Sequence, residues 1–129
     1  MIFKGRKISP GYAEGEALVS SMGISFFGGI DPETGQVVEK GHILEGQFIC
    51  GKVLVFPTGK GSTVGSYTLF RLKKANKAPA AIINAEAETI TAVGCIISDI
   101  PCVDHIPTDQ ISTGDTIRVV SENGTVEIL

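Results

Sequence analysis

Residues 53–66 decide the fold class, and they read Val-Leu-Val-Phe-Pro-Thr-Gly-Lys-Gly-Ser-Thr-Val-Gly-Ser. The uninterrupted apolar run Val53–Phe56 is typical of a buried central strand. After the glycine-rich loop, the pattern predicts a helix from about Thr63 to Asn76, and Pro79 prevents much continuation. Apolar residues 80–83 predict the next strand. Strand, loop, helix and strand in this order form one βαβ-like unit.

The rest of the chain alternates short apolar segments with turns. Pro32 and Gly35 favour a turn over residues 31–35, and residues 122–124 predict a hairpin turn. A second, short helix is expected over residues 86–93. Further strands are predicted at residues 17–19, 24–27, 48–50, 96–97, 102–103, 116–120 and 125–129. We therefore predict a single mixed α/β domain over residues 1–129, richer in strand than in helix.

Composition and charge exclude several classes of protein. The 129 residues are 43% apolar and 19% charged, which excludes a disordered chain. The net charge of −3 argues against a general nucleic-acid binder. No apolar run is long enough to span a bilayer, and the first residues lack the apolar region of a secretory signal. The spacing of Cys50, Cys95 and Cys102 matches no zinc pattern, so we expect a reducing cytoplasm and no metal on this chain.

The loop after the first strand of the βαβ unit favours an anion without matching a known phosphate motif. A dinucleotide fingerprint needs glycine at the position of Val64, and a Walker loop needs serine or threonine after Lys60, where Gly61 stands. Two glycines still allow a sharp turn and a close approach of backbone to ligand. The predicted helix start adds unpaired N–H groups and a positive dipole end.

Ser62 stands at that predicted helix start and has two interpretations. Serine at such a position is most often a helix cap. Alternatively its oxygen faces a substrate and accepts a proton, which requires N–H groups, the helix dipole or a cation such as Lys60 to stabilise the anion. No histidine or aspartate adjoins it in sequence to complete a triad.

Other side chains are weaker candidates for chemistry. His42 and His105 each lie in a predicted loop, where a polar structural role is commoner than catalysis. The basic residues at 71, 73, 74 and 77 form a solvated helix face, which is the commoner case, or meet a phosphate or an acidic partner. Tyr67 and Phe70 fall outside the apolar stripe of the helix, so they pack under a loop or face another chain.

Four segments carry a resemblance to a known family. They are residues 9–11 with 14–17, residues 24–35 (Ile-Ser-Phe-Phe-Gly-Gly-Ile-Asp-Pro-Glu-Thr-Gly), residues 59–62 with 65–66, and residues 106–109. Together they span essentially the whole chain, which resembles the small subunits of the aconitase X family, in particular the archaeal phosphomevalonate dehydratases. The second segment is long and specific, whereas the glycine-serine loop alone is not.

The resemblance implies a fold, a partner and a reaction. The fold would be the β/β/α swivelling domain of aconitase-like enzymes, with a mixed, barrel-like sheet and few helices. The partner would be a larger subunit whose own cysteines bind an iron–sulfur cluster, expected to be 4Fe–4S. The reaction would be dehydration of (R)-5-phosphomevalonate to trans-anhydromevalonate 5-phosphate, with the serine matching Ser62 as proton acceptor. From the residues we add Lys60, Gly61 and Thr63 as substrate contacts.

Three alternatives stay open on the sequence. Other aconitase X members resemble cis-3-hydroxy-L-proline dehydratases and share the loop. Swivelling domains also serve as phosphohistidine carriers, but this loop carries Ser62 and no histidine. A chain that only stabilises its partner would leave turnover intact when Ser62 is replaced by alanine.

Overall fold

Eight strands and three helical segments make up the fold. The computed structural model describes all 129 residues. The strands are β1 (Ile2–Lys4), β2 (Arg6–Ser9), β3 (Tyr12–Val19), β4 (Val53–Phe56), β5 (Ala81–Asn84), β6 (Cys102–Asp104), β7 (Thr116–Val120) and β8 (Thr125–Ile128). The helices are α1 (Phe26–Gly29), α2 (Gly65–Lys74) and α3 (Thr89–Ile97), and single 3-10 turns lie at Thr108–Gln110 and Ser121–Asn123. The backbone angles of Phe27 and Gly28 are not helical, so α1 is an irregular turn.

One mixed sheet contains all the strands in the order β1-β8-β7-β3-β4-β5-β6-β2. Its centre is parallel, because β3, β4, β5 and β6 run in one direction with α2 and α3 as crossovers. Every residue of β4 is buried, as expected for a parallel strand covered on both faces. The predicted βαβ unit is therefore confirmed as β4, α2 and β5, and so is the strand-rich mixed α/β architecture.

The two outermost strands of the sheet are consecutive in the chain. Only Gly5 separates β1, at one edge, from β2, at the other, so the sheet curves until its edges meet at this residue. The Gly5 N–H donates to the Gly124 carbonyl at 2.7 Å. A Cβ on Gly5 would overlap the carbonyl oxygen of Asp104, so glycine is needed there for close packing.

Alternate side chains of the central strands fill two separate apolar clusters. Leu54 and Phe56 of β4 pack towards the helices, together with Leu69 and Leu72 of α2. Residues between them, such as Val53, point to the opposite face and pack with the antiparallel strands. This period of two is what a strand buried on both faces requires. Neither α2 nor α3 has the length and apolar character needed to cross a bilayer.

Several predicted boundaries are wrong. Helix α2 begins at Gly65, two residues later than predicted, because residues 62–64 form a turn. The predicted strand at residues 96–97 is the end of α3, which continues over four residues past the predicted helix. The predicted strand at 24–27 is a single bridge from Ile24 to Gly59 followed by α1. Residues 48–50 likewise form only one bridge, from Phe48 to Gln36, and β1 and β2 were not predicted.

Candidate active site

The loop between β4 and α2 lies at the carboxyl edge of the parallel strands. Gly59 forms a parallel bridge with Ile24, and the Lys60 N–H donates to the Ile24 carbonyl at 2.9 Å. A Cβ on Gly59 would overlap Thr91 Oγ1 at the start of α3. The loop is thus held between the segment before α1 and the first turn of α3, which fixes where its tip, Gly61–Thr63, emerges.

Gly61 has the backbone conformation that this tip depends on. Its φ is +100°, in the region that glycine adopts readily and other residues avoid. A Cβ at this position would also overlap Ser25 Oγ. Ser25 itself is tied by its hydroxyl to the Phe27 carbonyl at 3.0 Å. Both sterics and backbone angle therefore require glycine immediately before Ser62.

Ser62 is exposed at the tip of the loop. Its Oγ accepts a hydrogen bond from the Val64 N–H at 3.2 Å, and its carbonyl accepts one from the Gly65 N–H at 2.9 Å. Ser62 is therefore not the N-cap of α2, which is Val64, and its hydroxyl instead stabilises the turn that precedes the helix. The hydroxyl proton is donated to no group of this chain, so the side chain also remains available to a ligand.

Three successive backbone N–H groups at the tip have no acceptor in the chain. They belong to Gly61, Ser62 and Thr63, all of them exposed. Successive N–H groups next to a helix start form a concavity that attracts anions. Helix α3 differs, because the Glu88 carboxylate accepts from the N–H groups of Ile90 (3.0 Å) and Thr91 (2.6 Å). The start of α3 thus carries its own carboxylate, whereas the first turn of α2 carries none.

Lys60 is the only cation within the loop, and it is engaged elsewhere. Its ammonium pairs with Glu39 Oε2 at 3.1 Å, about half exposed to solvent. Thr63 is exposed, and its side chain makes no hydrogen bond within the chain. The structure thus brings Gly61, Ser62 and Thr63 together at one tip, with Lys60 at its base.

Neither histidine is placed to act as a base at the loop tip. His42 is buried, its Nδ1 accepts the Leu44 N–H at 3.0 Å, and its Nε2 lies 3.0 Å from the Gly23 carbonyl. Both nitrogens are therefore used, with the proton on Nε2, which confirms the structural role. His105 follows β6, and its Nε2 lies 3.2 Å from the Glu86 carboxylate. None of its ion pairs or hydrogen bonds involves Ser62.

Glu86, Asp104 and His105 form the one cluster of potential metal ligands in the chain. Both oxygens of Asp104 are already bound by the Arg6 guanidinium, at 3.0 and 2.7 Å, and the Ala87 N–H adds a third bond at 3.0 Å. Burial raises the pKa of Asp104, but these hydrogen bonds outweigh it and hold the pKa below its usual value. The cluster is therefore centred on a partly buried ion pair between Arg6 and Asp104 rather than on an open metal site.

Comparison with known proteins connects this geometry to a family. The family model described as the aconitase X swivel domain matches residues 2–128. The chain belongs to the aconitase X swivel-domain family. The resemblance found in the sequence is thus confirmed, and so is the swivelling-domain fold.

Several known proteins are similar to this chain over its whole length or nearly so. The phosphomevalonate dehydratase small subunit of Thermococcus kodakarensis is 58% identical, with 100% of this chain and 97% of that protein covered. The protein of the same name from Methanosarcina mazei is 58% identical over 98% of this chain and 90% of its own. The crystal structure of Thermococcus kodakaraensis aconitase X in its holo-form matches with a TM-score of 0.99 and 57% identity, covering 100% and 98% of the two chains.

The cysteines of this aconitase X domain do not suit an iron–sulfur cluster. Cys95 and Cys102 are fully buried in the core beneath the helices, whereas Cys50 is exposed and donates to the Asn76 carbonyl at 3.4 Å. A hydrogen bond with the Cys102 thiol, together with burial, raises the pKa of Cys95 well above its ordinary value. Cluster ligands must be thiolates, so the residues present here do not fit that group.

Sequence reasoning missed two features of the site. Ser25 limits the space at Gly61, and Glu39 pairs with Lys60 from a distance of 21 residues in sequence. Ser25 lies in the segment that carries the family resemblance, which was a usable signal. Nothing in the sequence marks Glu39, because a lone glutamate in a turn region has no distinguishing pattern.

Proposed function

We propose that this chain is the small subunit of a hydro-lyase that dehydrates (R)-5-phosphomevalonate to trans-anhydromevalonate 5-phosphate in archaeal isoprenoid synthesis by the mevalonate pathway. Support comes from full-length relatives that carry the name phosphomevalonate dehydratase small subunit. The name implies a larger partner, so we propose a heterodimer that is active only when both subunits are present. The partner's own cysteines would hold the iron–sulfur cluster.

The observation that carries the proposal is the open set of N–H groups around Ser62. Gly61, Ser62 and Thr63 offer three donors that nothing in this chain uses. A hydroxy-acid substrate carries a carboxylate, and a phosphorylated one also carries a phosphate. Either group would satisfy these donors, and the start of α2 adds the favourable end of the helix dipole.

Ser62 would act as the base in this site. Dehydration removes a proton from the carbon next to the carboxylate while the hydroxyl on the neighbouring carbon leaves. The Ser62 oxygen, as the alkoxide, would form the new O–H bond, and the electrons of the broken C–H bond would form the double bond. The Val64 N–H, which donates to Oγ at 3.2 Å, and the positive end of α2 would stabilise the alkoxide.

The neighbouring residues would hold the substrate. The carbanion-like charge that develops next to the carboxylate would be stabilised by the N–H groups of Gly61 and Thr63, which are fixed before the reaction. The Lys60 ammonium would exchange Glu39 for an anionic oxygen of the substrate. The larger subunit's cluster, when bound, would supply the Lewis acid for the departing hydroxyl.

The test is turnover by the complex of this chain with its larger subunit, purified without oxygen. We expect Ser62→Ala to lower kcat by about 10²-fold or more while the complex still forms. Ser62→Asn is the matched control for the hydrogen bond from the Val64 N–H, because asparagine also accepts this bond but cannot serve as the alkoxide base. We expect both variants to be inactive.

The outcomes separate the alternatives. Full turnover by Ser62→Asn would show that Ser62 acts only through the hydrogen bond that its oxygen accepts and is not the base. Full turnover by both variants would leave the chain a merely stabilising subunit. Offering cis-3-hydroxy-L-proline in parallel tests the substrate, since turnover of that compound alone would assign the complex to the other dehydratase branch.

A further inference from the structure

His42 is the buried histidine of the chain, and its ring joins two segments that lie beside the Ser62 loop. The residue is only 5% exposed. Its Nε2–H group donates to the Gly23 carbonyl at 3.0 Å, across 19 positions of sequence. Its Nδ1 accepts the Leu44 N–H at 3.0 Å, within its own turn. The bond to Gly23 is therefore the one that connects separate parts of the chain.

Gly23 forms part of the support of Lys60. A Cβ on Gly23 would lie 3.1 Å from the Thr58 carbonyl oxygen and 3.6 Å from Lys60 Cδ, so its backbone lies directly against the loop. The next residue, Ile24, donates its N–H to the Thr58 carbonyl at 3.3 Å and accepts the Lys60 N–H at 2.9 Å. Both the backbone and the aliphatic side chain of Lys60 therefore depend on where the segment at Gly23 lies.

The turn that carries His42 also carries the ion-pair partner of Lys60. Glu39 Oε2 lies 3.1 Å from the Lys60 ammonium, and the Glu39 carbonyl accepts the His42 N–H at 3.3 Å. The Glu39 N–H in turn donates to the Gly29 carbonyl at 3.3 Å. The ring of His42 thus connects the support beneath the Lys60 side chain to the carboxylate that holds its ammonium.

We propose that His42 is a positioning residue for the reaction, because its bond to the Gly23 carbonyl fixes the segment against which Lys60 packs. The inference rests on the proposed function, in which Lys60 leaves Glu39 and binds an anionic oxygen of the substrate. The Lys60 side chain is about half exposed, and a lysine in that position has many accessible rotamers. A fixed support reduces the conformational entropy that substrate binding must overcome. His42 is buried and acts only through these neighbours.

Ser121 shows what a purely structural role for a buried polar side chain looks like. It is fully buried, and its hydroxyl is bonded to the Ser9 and Cys102 carbonyls. Cys102 is the first residue of β6, so this bond lies at the amino edge of the parallel strands, opposite the Ser62 loop. Ser121→Ala therefore removes a buried hydrogen bond without affecting Lys60, and it is the control for loss of stability alone.

The first test uses two substitutions that separate the two hydrogen bonds of the ring. The amide of His42→Asn reaches the place of Nδ1 and keeps only the bond within the turn, whereas that of His42→Gln reaches the place of Nε2 and keeps the donor to Gly23. With the larger subunit saturating, we expect His42→Asn to lower kcat/KM about fivefold, mainly through KM, because a binding contact is lost. We expect His42→Gln to restore most of this loss. Equal losses in the two variants would overturn the proposal.

The second test determines whether the effect of His42 passes through Lys60. His42→Asn, Lys60→Met and the double variant form a double-mutant cycle. We expect His42→Asn to cost about fivefold in kcat/KM by itself and less than about twofold beside Lys60→Met, because no ammonium is left to position. Ser121→Ala should lower the unfolding temperature and leave kcat/KM unchanged in both backgrounds. A fivefold loss from His42→Asn in both backgrounds would make His42 a general support of the fold and overturn the proposal.

Failure of the proposed function would look different. Unchanged kcat/KM in Lys60→Met would remove Lys60 as a substrate contact, and amide exchange would then report the support by His42 independently of turnover. The exchange rate of the Lys60 N–H is measured by NMR on the 129-residue chain. We expect His42→Asn to raise it about fivefold or more, because the bond to the Ile24 carbonyl opens more often, and His42→Gln and Ser121→Ala to leave it nearly unchanged. An unchanged rate in His42→Asn would overturn the positioning role.

Discussion

The starts of α2 and α3 lie side by side at the same edge of the sheet, and they are built in opposite ways. Both helices follow a central parallel strand and return to the next one. At α3, the Glu88 carboxylate accepts from two N–H groups and from the Thr91 hydroxyl. At α2, no carboxylate is present, and the N–H groups of the preceding residues 61–63 are unused.

The comparison indicates that the start of α3 stabilises its own helix, whereas the start of α2 is open to a ligand. Glu88 supplies within the chain the negative charge that a helix N-terminus favours, and its carboxylate would repel an anionic ligand at that place. The start of α2 leaves that position open and exposes it on a tip whose shape depends on Gly61. A substitution at α3 should therefore act on stability, and one at α2 on turnover.

Among substitutions that leave Ser62 in place, the largest effect is expected from Gly61→Ala. The new Cβ would overlap Ser25 Oγ and hold φ in an unfavourable region, so the tip must move. Displacement of catalytic groups by about 1 Å can cost about 10²-fold, and we expect kcat of the complex to fall by that order. The measurement is steady-state turnover with a saturating larger subunit.

Gly114→Ala is the control for Gly61→Ala. Its φ is +98°, but an added Cβ would meet no atom within 4 Å. It carries the same backbone strain without the overlap, so turnover should be unchanged and stability lower by about 1 kcal/mol. Equal losses of turnover in the two variants would show that the contact with Ser25 has no role.

A smaller effect is expected from Lys60→Met. Loss of its charge-assisted bond to an anionic oxygen should cost about 1.5 kcal/mol, or about tenfold in kcat/KM. The free energy of unfolding should change little, because the pair with Glu39 is partly exposed. Lys52→Met removes the comparable surface pair with Glu16 and should leave kcat/KM unchanged. A tenfold loss in both variants would contradict a specific role for Lys60.

The smallest effect on turnover is expected from Glu88→Ala, at the closed helix start. Loss of the cap leaves two N–H groups without their acceptor and should lower the free energy of unfolding by about 1 kcal/mol. Urea unfolding of the isolated chain measures it, with Glu122→Ala at an exposed turn as the control. If Glu88→Ala left stability unchanged, or lowered kcat as much as Gly61→Ala does, the two helix starts would not differ in the way described here.

Sequence patterns predicted the parts of the fold that depend on local order. The apolar run of β4 and the loop that follows it were sufficient to predict the βαβ unit. The Ile96–Ile97 pair favoured a strand by local propensity, but packing of Gly94 and Cys95 against the core keeps these residues helical. Strands β1 and β2 are short and partly charged, and they are defined only by pairing with residues about 100 or more positions away.

The candidate site likewise has features that the sequence predicts and others that depend on the folded chain. Ser62 and its glycines could be found from sequence, because loop chemistry and a helix start are local features. The unused N–H groups could not, since only the three-dimensional contacts show which donors have acceptors. The positions of Ser25 and Glu39 relative to the loop also depend on the folded chain.

The junction at Gly5 has a consequence for folding and aggregation. Strand β1 covers β8 and strand β2 covers β6, so the first nine residues protect the strands next to both edges of the sheet. During synthesis this segment has no partner until residues 102–128 have been made, and it joins the sheet only then. Loss of these few residues would expose two strand edges at once, and each could pair with another molecule. Two strands of only three and four residues thus cover the edges of β8 and β6.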